Sequence, residues 1–142
     1  MKSEPPILCS ACLLGCKCRY DGNSKSNEKV LAMLKNNQLL PVCPEQLGGL
    51  STPRTPSERN GDRVITKDGT DVTVNYQTGA EEVLRIANLY GCKKAILKAR
   101  SPSCGSKQTY DGTFTGKLID RDGVCSELLK RNGIEVISEE DL

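Results

Sequence analysis

The stretch KAILKARSPSCG, residues 94–105, joins the clearest strand signal in the chain to a loop that carries a cysteine. A short apolar run bounded by turn-forming residues is typical of a buried strand, which we place at residues 94–99. Ser101 and Pro102 have the residue types of an N-cap and a first helical position, so a brief helical turn follows the strand. Cys104 lies in that turn, where free backbone N–H groups are expected to lower the pKa of its thiol.

Similar strand signals alternate with helix signals along the rest of the 142 residues. Further strands are expected at residues 6–11, 39–43 and 134–138, with a brief one at 63–66. Helices are expected at residues 26–38, capped by Ser26, from Asp71 or Thr73 to Tyr90, and at 124–132. Strands separated by helices predict a single-domain α/β fold, with a mostly parallel sheet flanked by helices on both faces, as in Rossmann-like proteins.

The composition excludes several classes of protein. The net charge is only +2, and no basic stripe is present, so nucleic-acid binding is not expected. There is no apolar run for a membrane span and no secretion leader, so we expect a cytoplasmic protein with no membrane partner. In a reducing cytoplasm the eight cysteines should not pair as disulfides. Because histidine is absent, any metal site rests on cysteines and carboxylates.

Three cysteines lie at or beyond the carboxyl ends of three predicted strands: Cys12, Cys43 and Cys104. Ligands of parallel α/β sheets bind outside the carboxyl ends of the strands, so the fold should gather these three thiols at one edge. Glu45 lies two residues beyond Cys43. In an extended segment the two side chains would point the same way, about 6.6 Å apart, with the carboxylate beside the metal and not bound to it.

A local site is the alternative, built from the four cysteines in residues 9–18. Their C-x2-C-x3-C-x-C spacing lacks the paired C-x2-C units of common zinc sites. Cys9 and Cys12 would also point to opposite faces of an extended strand. The remote set is therefore favoured, but residue chemistry does not separate iron–sulfur from zinc. Three thiolates would leave one iron of a [4Fe–4S] cluster open as a Lewis acid, whereas structural zinc needs a fourth ligand.

Four blocks carry a resemblance to a known family: SACLLGCKCRYDG, PVCPEQLGGLSTPR, AILKARSPSCG and YDGTFTG. They occur in order between Ile7 and Glu139, and the chain resembles the thiouracil desulfurase (desulfidase) family, formerly a domain of unknown function. The resemblance implies an α/β enzyme of sulfur metabolism that converts thiolated uracil to uracil and hydrogen sulfide without net redox change. It also implies a [4Fe–4S] cluster on Cys12, Cys43 and Cys104, with Glu45 and Ser101 as the catalytic pair.

The resemblance also implies a mechanism. The open iron binds the sulfur of the substrate, Glu45 activates a water molecule, and Ser101 donates or relays a proton. The substrate is 2- or 4-thiouracil, or its nucleoside or nucleotide, and the sequence leaves that choice open. It also leaves open whether the protein is a monomer or a dimer.

Two other functions stay possible at this point: a structural zinc module that uses the local cysteines, and a thiol-based sulfur carrier. Cys9, Cys16, Cys92 and Cys125 are expected to serve packing, and Cys18 to lie near the cluster as a reserve thiol. Other polar residues in turn-like blocks have simpler expected roles. Asp21 and Asp111 are expected to cap turns. Arg54 is a candidate to hold a phosphate or a uracil oxygen.

Overall fold

A computed structural model describes residues 4–142. Its strands are β1 (Ile7–Ser10), β2 (Leu39–Val42), β3 (Ser57–Asn60), β4 (Arg63–Thr66), β5 (Lys94–Leu97), β6 (Gln108–Tyr110), β7 (Leu118–Asp120) and β8 (Glu135–Ser138). Its α-helices are α1 (Glu28–Ala32), α2 (Pro44–Leu47), α3 (Thr73–Tyr90) and α4 (Val124–Arg131). Four strands form a sheet of order β2-β1-β5-β8 in which every pair of neighbours is parallel. The predicted α/β class is confirmed.

The two faces of this sheet have separate cores, because successive side chains of a strand point to opposite faces. Leu8 and Leu97 face the long helices α3 and α4 and pack with their buried residues. Cys9 and Ile96 face the other way, where they pack with Val30 of α1 and with the segment that follows β1. Helices therefore cover both faces, as the alternating sequence signals indicate.

Helix α2 is fixed against α3 by two glycines in close contact. A Cβ atom on Gly48 would lie 2.0 Å from the backbone oxygen of Asn75, and one on Gly79 would lie 1.9 Å from that of Pro44. No larger residue fits at either position without moving a backbone. Asn75 also donates from Nδ2 to the Gly48 carbonyl at 2.9 Å. This contact joins the short helix that carries Glu45 rigidly to the longest helix in the protein.

Two antiparallel hairpins differ from the sequence prediction. Strands β3 and β4 pair with each other, and β6 pairs with β7, in stretches for which the sequence indicates polar loop or a single brief strand. These strands lie outside the main sheet and are short, so their hydrophobic alternation is weak. Both hairpins extend beyond the carboxyl edge of the parallel sheet and contribute to the same pocket.

The predicted helices are present in the structure, but some of their boundaries differ from the prediction. Helix α1 begins one residue later than a Ser26 cap requires, because Asn27 is the N-cap and its Oδ1 accepts from Val30 N at 3.1 Å. The α-helix then tightens into a 3₁₀ turn at Met33–Lys35. Helix α3 ends where predicted, at Gly91 with φ of 67°. No helix in residues 4–142 is long and apolar enough to cross a membrane.

Candidate functional site

A pocket of about 570 Å³ opens at the carboxyl edge of the parallel sheet. The ends of β1, β2 and β5 form its floor, and the two hairpins contribute to its walls. Cys12, Cys43 and Cys104 all line it, together with Glu45 and Ser101. The structure thus brings together all five residues that the sequence analysis selected, from segments up to 92 positions apart in the chain.

Each of the three cysteines is placed by the element that follows its strand. Cys12 lies in the 3₁₀ turn Ala11–Leu14 directly after β1. Cys43 is the N-cap of α2 directly after β2. Cys104 lies in the turn after β5 and is buried. The three cysteines line one pocket because three neighbouring parallel strands end at the same edge.

Two details of the predicted geometry are wrong. Residues 43–45 are not extended, because Pro44 begins a helix at once, so Glu45 reaches the pocket from a helical turn. Cys9 and Cys12 do not lie on opposite faces, because the chain leaves the extended conformation at Ala11. Both belong to the same hydrophobic cluster, yet Cys12 lines the pocket and the fully buried Cys9 does not.

The predicted effect on the Cys104 thiol is also wrong in direction. Burial raises the pKa of Cys104 to about 12, although hydrogen bonds with Ser10 and Ser101 act to lower it. The backbone N–H groups of the turn are not free, because the Ser101 hydroxyl accepts from two of them, at Ser103 and Cys104. Desolvation of the thiolate therefore outweighs the dipoles of the turn.

Cys18 is a fourth thiol in the pocket. Cys43 Sγ donates to the Cys18 carbonyl at 3.8 Å. The pKa of the Cys18 thiol is raised to about 11, chiefly by its hydrogen bond with Cys12. Cys18 thus contacts two of the three remote cysteines, which agrees with its expected position beside them.

The local four-cysteine site does not form. Cys9 is fully buried between the sheet and α1, whereas Cys16 is exposed. Across residues 4–142, no group of three or more cysteines and carboxylates lies close enough to hold a single metal ion. Thiols that bind different irons of one cluster need not converge on a single point, so the pocket cysteines suit a cluster better than a lone ion.

The carboxylate of Glu45 is held by one of its two oxygens. Its Oε1 accepts from Tyr76 Oη at 2.7 Å and from Arg54 Nε at 3.1 Å. No described group donates to Oε2, which leaves that oxygen available to a ligand in the pocket. Sequence analysis missed Tyr76, because its position within α3 gives only a core signal.

Arg54 lines the pocket, but protein groups already engage its guanidinium. Besides the Glu45 contact, it donates to the Cys18 carbonyl at 2.9 Å and to Ser51 O and Thr52 Oγ1 at 3.1 and 3.0 Å. All three of its nitrogens have partners, and the side chain is only 7% exposed. These contacts use most of its donors, and the expectation that Arg54 holds a phosphate or a uracil oxygen stays a prediction.

Tyr76 is a permanent donor in this network. It is 1% exposed, and its pKa is raised well above the ordinary value by burial and by the charge of Glu45. Its hydroxyl also lies 2.5 Å from Ser57 Oγ. Because a raised pKa keeps the tyrosine protonated at neutral pH, its hydroxyl donates to Glu45 Oε1.

Ser101 is the predicted cap and has an unambiguous hydrogen-bonding role. Its Oγ accepts from Ser103 N at 3.1 Å and from Cys104 N at 3.0 Å. A hydroxyl has two lone pairs and one proton, so these two contacts occupy its capacity to accept. The remaining proton makes Ser101 a donor, either to the Cys104 sulfur or to a ligand in the pocket.

The chain matches known proteins along nearly its whole length. A family model described as 2-thiouracil desulfurase matches residues 7–141. The chain belongs to the 2-thiouracil desulfurase family. Membership confirms the sequence resemblance and the desulfurase class at the level of the family.

Two relatives of this desulfurase chain are informative. An uncharacterized protein, YbbK of Bacillus subtilis (strain 168), is 42% identical over 146 residues, covering 96% of this chain and 97% of the relative. A solved structure described as the [4Fe-4S]-dependent thiouracil desulfidase TudS is 44% identical. It superimposes with a TM-score of 0.93, covering 98% of this chain and 93% of that one. The parallel fold is thus shared with a solved enzyme.

The loop of this desulfurase that carries Ser101 and Cys104 is fastened by the carboxyl-terminal segment. Glu139 accepts from Ala99 N at 2.8 Å and pairs with Lys98 Nζ at 2.9 Å, and both charged side chains are largely buried. Glu140 pairs with Arg100, whose φ of 65° is unusual for a residue other than glycine. These contacts hold the backbone that leads from β5 into the pocket.

Proposed function

We propose that residues 1–142 form one desulfurase domain that converts thiolated uracil to uracil and hydrogen sulfide with a [4Fe–4S] cluster. The observation that carries this proposal is the meeting of three thiols from three strand ends with a carboxylate that has one oxygen fixed and one free. Family membership and a [4Fe-4S]-dependent structural relative support it. We also propose a cytoplasmic location, where a reducing environment keeps the free thiols available.

The residues present fit the cluster. Cys12, Cys43 and Cys104 would hold it, because thiolates are the usual ligands of iron–sulfur centres and the chain offers no histidine. When bound on three cysteines, the cluster supplies an iron without a protein ligand, which acts as a soft Lewis acid towards the sulfur of the substrate. Cys18, the fourth thiol of the pocket, is not needed as a ligand in this proposal.

Glu45 acts as the general base. Its Oε2 accepts a proton from a water molecule as the water oxygen attacks the carbon that bears sulfur. Arg54 and Tyr76 hold Oε1, so the carboxylate keeps one orientation and Oε2 stays directed to the pocket. The reaction balances as thiouracil and water giving uracil and hydrogen sulfide, with no change of oxidation state.

Ser101 acts as a fixed hydrogen-bond donor. Both of its lone pairs accept backbone N–H groups, so it does not take up a proton from a neighbour as a relay must. When substrate is bound, its hydroxyl proton turns from the Cys104 sulfur to a heteroatom of the pyrimidine ring, where negative charge develops during attack. This role is narrower than the donor-or-relay role that the sequence suggests.

Anaerobic assay of the cluster-loaded chain tests the proposal. Uracil and sulfide should appear in equal amounts from 2-thiouracil or 4-thiouracil, and the cluster-free chain should produce neither. Parallel reactions with thiouridine and its monophosphate show whether the base, nucleoside or nucleotide is preferred. Absence of turnover with all of these substrates contradicts the proposal, and tightly bound zinc in place of iron would favour a structural module.

A further inference from the structure

The tip of the β6–β7 hairpin, residues 111–117, carries the only phenylalanine of the chain, Phe114. Its side chain lines the pocket and is half-buried. It belongs to none of the hydrophobic clusters found within residues 4–142. A large apolar ring that packs in no core and borders the site needs an explanation other than stability.

The backbone at Phe114 adopts a conformation that bulky residues rarely take. Its φ is 58°, in the left-handed region, which is strained for a residue with a Cβ atom. Glu58 of β3 holds this conformation, since its Oε1 accepts from Gly112 N at 3.0 Å and from Phe114 N at 3.1 Å. Asp111 closes the tip by accepting from Thr113 N at 2.9 Å.

The same wall of the pocket leads directly to the catalytic carboxylate. Ser57 is the chain neighbour of Glu58, and its hydroxyl lies 2.5 Å from Tyr76 Oη. Tyr76 in turn donates to Glu45 Oε1. The strand that fixes Phe114 therefore also contacts the residue that fixes Glu45, so the ring and the base are held in one framework.

We propose that the Phe114 ring stacks on the pyrimidine ring of the substrate and that Glu58 is the positioning residue that presents it. The inference rests on the proposed function and adds a residue that recognises the heterocycle. A flat aromatic ring offers its π-face to any pyrimidine, whether oxo or thio. Tyr20, another aromatic residue of the pocket, is a weaker candidate because its ring already lies 5.5 Å from the Arg19 guanidinium and is 41% exposed.

Substitutions at Phe114 separate a binding role from a structural one. In the cluster-loaded protein, Phe114→Leu and Phe114→Gly should raise the calorimetric Kd for uracil and the KM for thiouracil by about 5- to 100-fold, with a smaller change in kcat. Phe114→Tyr keeps the π-face and should bind uracil at least about fivefold more tightly than Phe114→Leu. Phe114→Gly should melt at the same temperature as the wild type or higher, because glycine adopts positive φ without strain.

Substitutions at Glu58 test the positioning role. Glu58→Ala removes the acceptor of two backbone N–H groups and should weaken uracil binding, whereas Glu58→Gln retains an acceptor oxygen and should bind more tightly than Glu58→Ala. Leu118→Ala is the matched control, because Leu118 is apolar, lies on the same hairpin and does not line the pocket. Its uracil Kd should equal that of the wild type.

The outcomes distinguish this inference from the proposed function. If the wild type turns over thiouracil and Phe114→Leu binds uracil with the wild-type Kd, the stacking proposal is overturned and the proposed function is not. A lower melting temperature of Phe114→Gly with an unchanged Kd would assign the ring a structural role, and this too overturns it. A wild-type protein that neither binds uracil nor releases sulfide from any substrate would overturn both proposals.

Discussion

The cysteines at the sheet edge and those in the interior show how position decides the role of one residue type. Cys12, Cys43 and Cys104 follow strand ends and line the pocket, whereas Cys9, Cys92 and Cys125 are buried away from it. Burial raises the pKa of both interior thiols that are fully buried, Cys9 to about 12 and Cys125 well above its ordinary value. Cysteine count alone is therefore a poor guide to a metal site, and position relative to the carboxyl ends of the strands is a good one.

The largest expected effect comes from removing an edge thiol. Cys43→Ala should abolish both the brown colour that an iron–sulfur cluster gives the protein and the desulfurase activity, because the cluster would lose one of three protein ligands. Cys125→Ala, the matched interior substitution, should keep both, and its small cavity should lower stability by about 1 kcal/mol. The two variants are compared by their visible absorbance, their turnover and their thermal melting. Equal loss of colour in the two variants would refute the distinction between edge and interior.

The next effect concerns the carboxylate beside the thiols. Glu45→Gln keeps the size and the hydrogen-bonding oxygen but removes the base, so kcat should fall by about 10²- to 10⁴-fold. The visible spectrum should stay that of the wild type, because Glu45 is not proposed as a ligand. Retained turnover with an intact cluster would remove Glu45 from the mechanism.

A smaller effect should follow from removing one of the hydrogen bonds that orient the Glu45 carboxylate. Tyr76→Phe deletes the hydroxyl that donates to Glu45 Oε1 and should lower kcat by roughly tenfold and stability by about 1–3 kcal/mol. Tyr90→Phe, on the same helix and 58% exposed, is the control and should change neither. A Tyr76→Phe variant that loses stability but keeps the wild-type kcat would show that Tyr76 serves only packing.

The smallest effect concerns the exposed Cys16. Alkylation of the native protein at pH 8 should modify Cys16 and leave Cys9 and Cys125 unmodified. Burial raises the pKa of Cys9 to about 12 and that of Cys125 well above its ordinary value, so both form almost no thiolate at that pH. Cys16→Ser should change stability by less than about 0.5 kcal/mol. Peptide mass mapping provides the measurement, and labelling of Cys9 in the folded protein would contradict the assigned burial.

Features that depend on local rules or on topology could be predicted from the sequence. The Ser101 cap follows from a short motif, and the meeting of Cys12, Cys43 and Cys104 follows from parallel strands ending at one edge. By contrast, the close α2–α3 contact at Gly48 and Gly79 is seen only in the structure.

Features that depend on tertiary packing could not be predicted. The contact of Tyr76 with Glu45 joins residues 31 positions apart through a buried hydroxyl, for which no sequence pattern exists. The sequence motif shows the backbone dipoles of the turn, which favour a lower pKa for Cys104. It does not show the burial of the thiol, which has the larger effect and raises that pKa. The engagement of Arg54 by backbone carbonyls likewise depends on loop conformation, which residue type does not specify.

Metal analysis of two cysteine variants tests the central claim most directly, because Cys104 belongs only to the remote set and Cys16 only to the local one. In anaerobically purified protein, the wild type and Cys16→Ala should each contain about four irons and four acid-labile sulfides per chain, and Cys104→Ala should contain almost none. One zinc ion that persists in Cys104→Ala and disappears in Cys16→Ala would contradict the account.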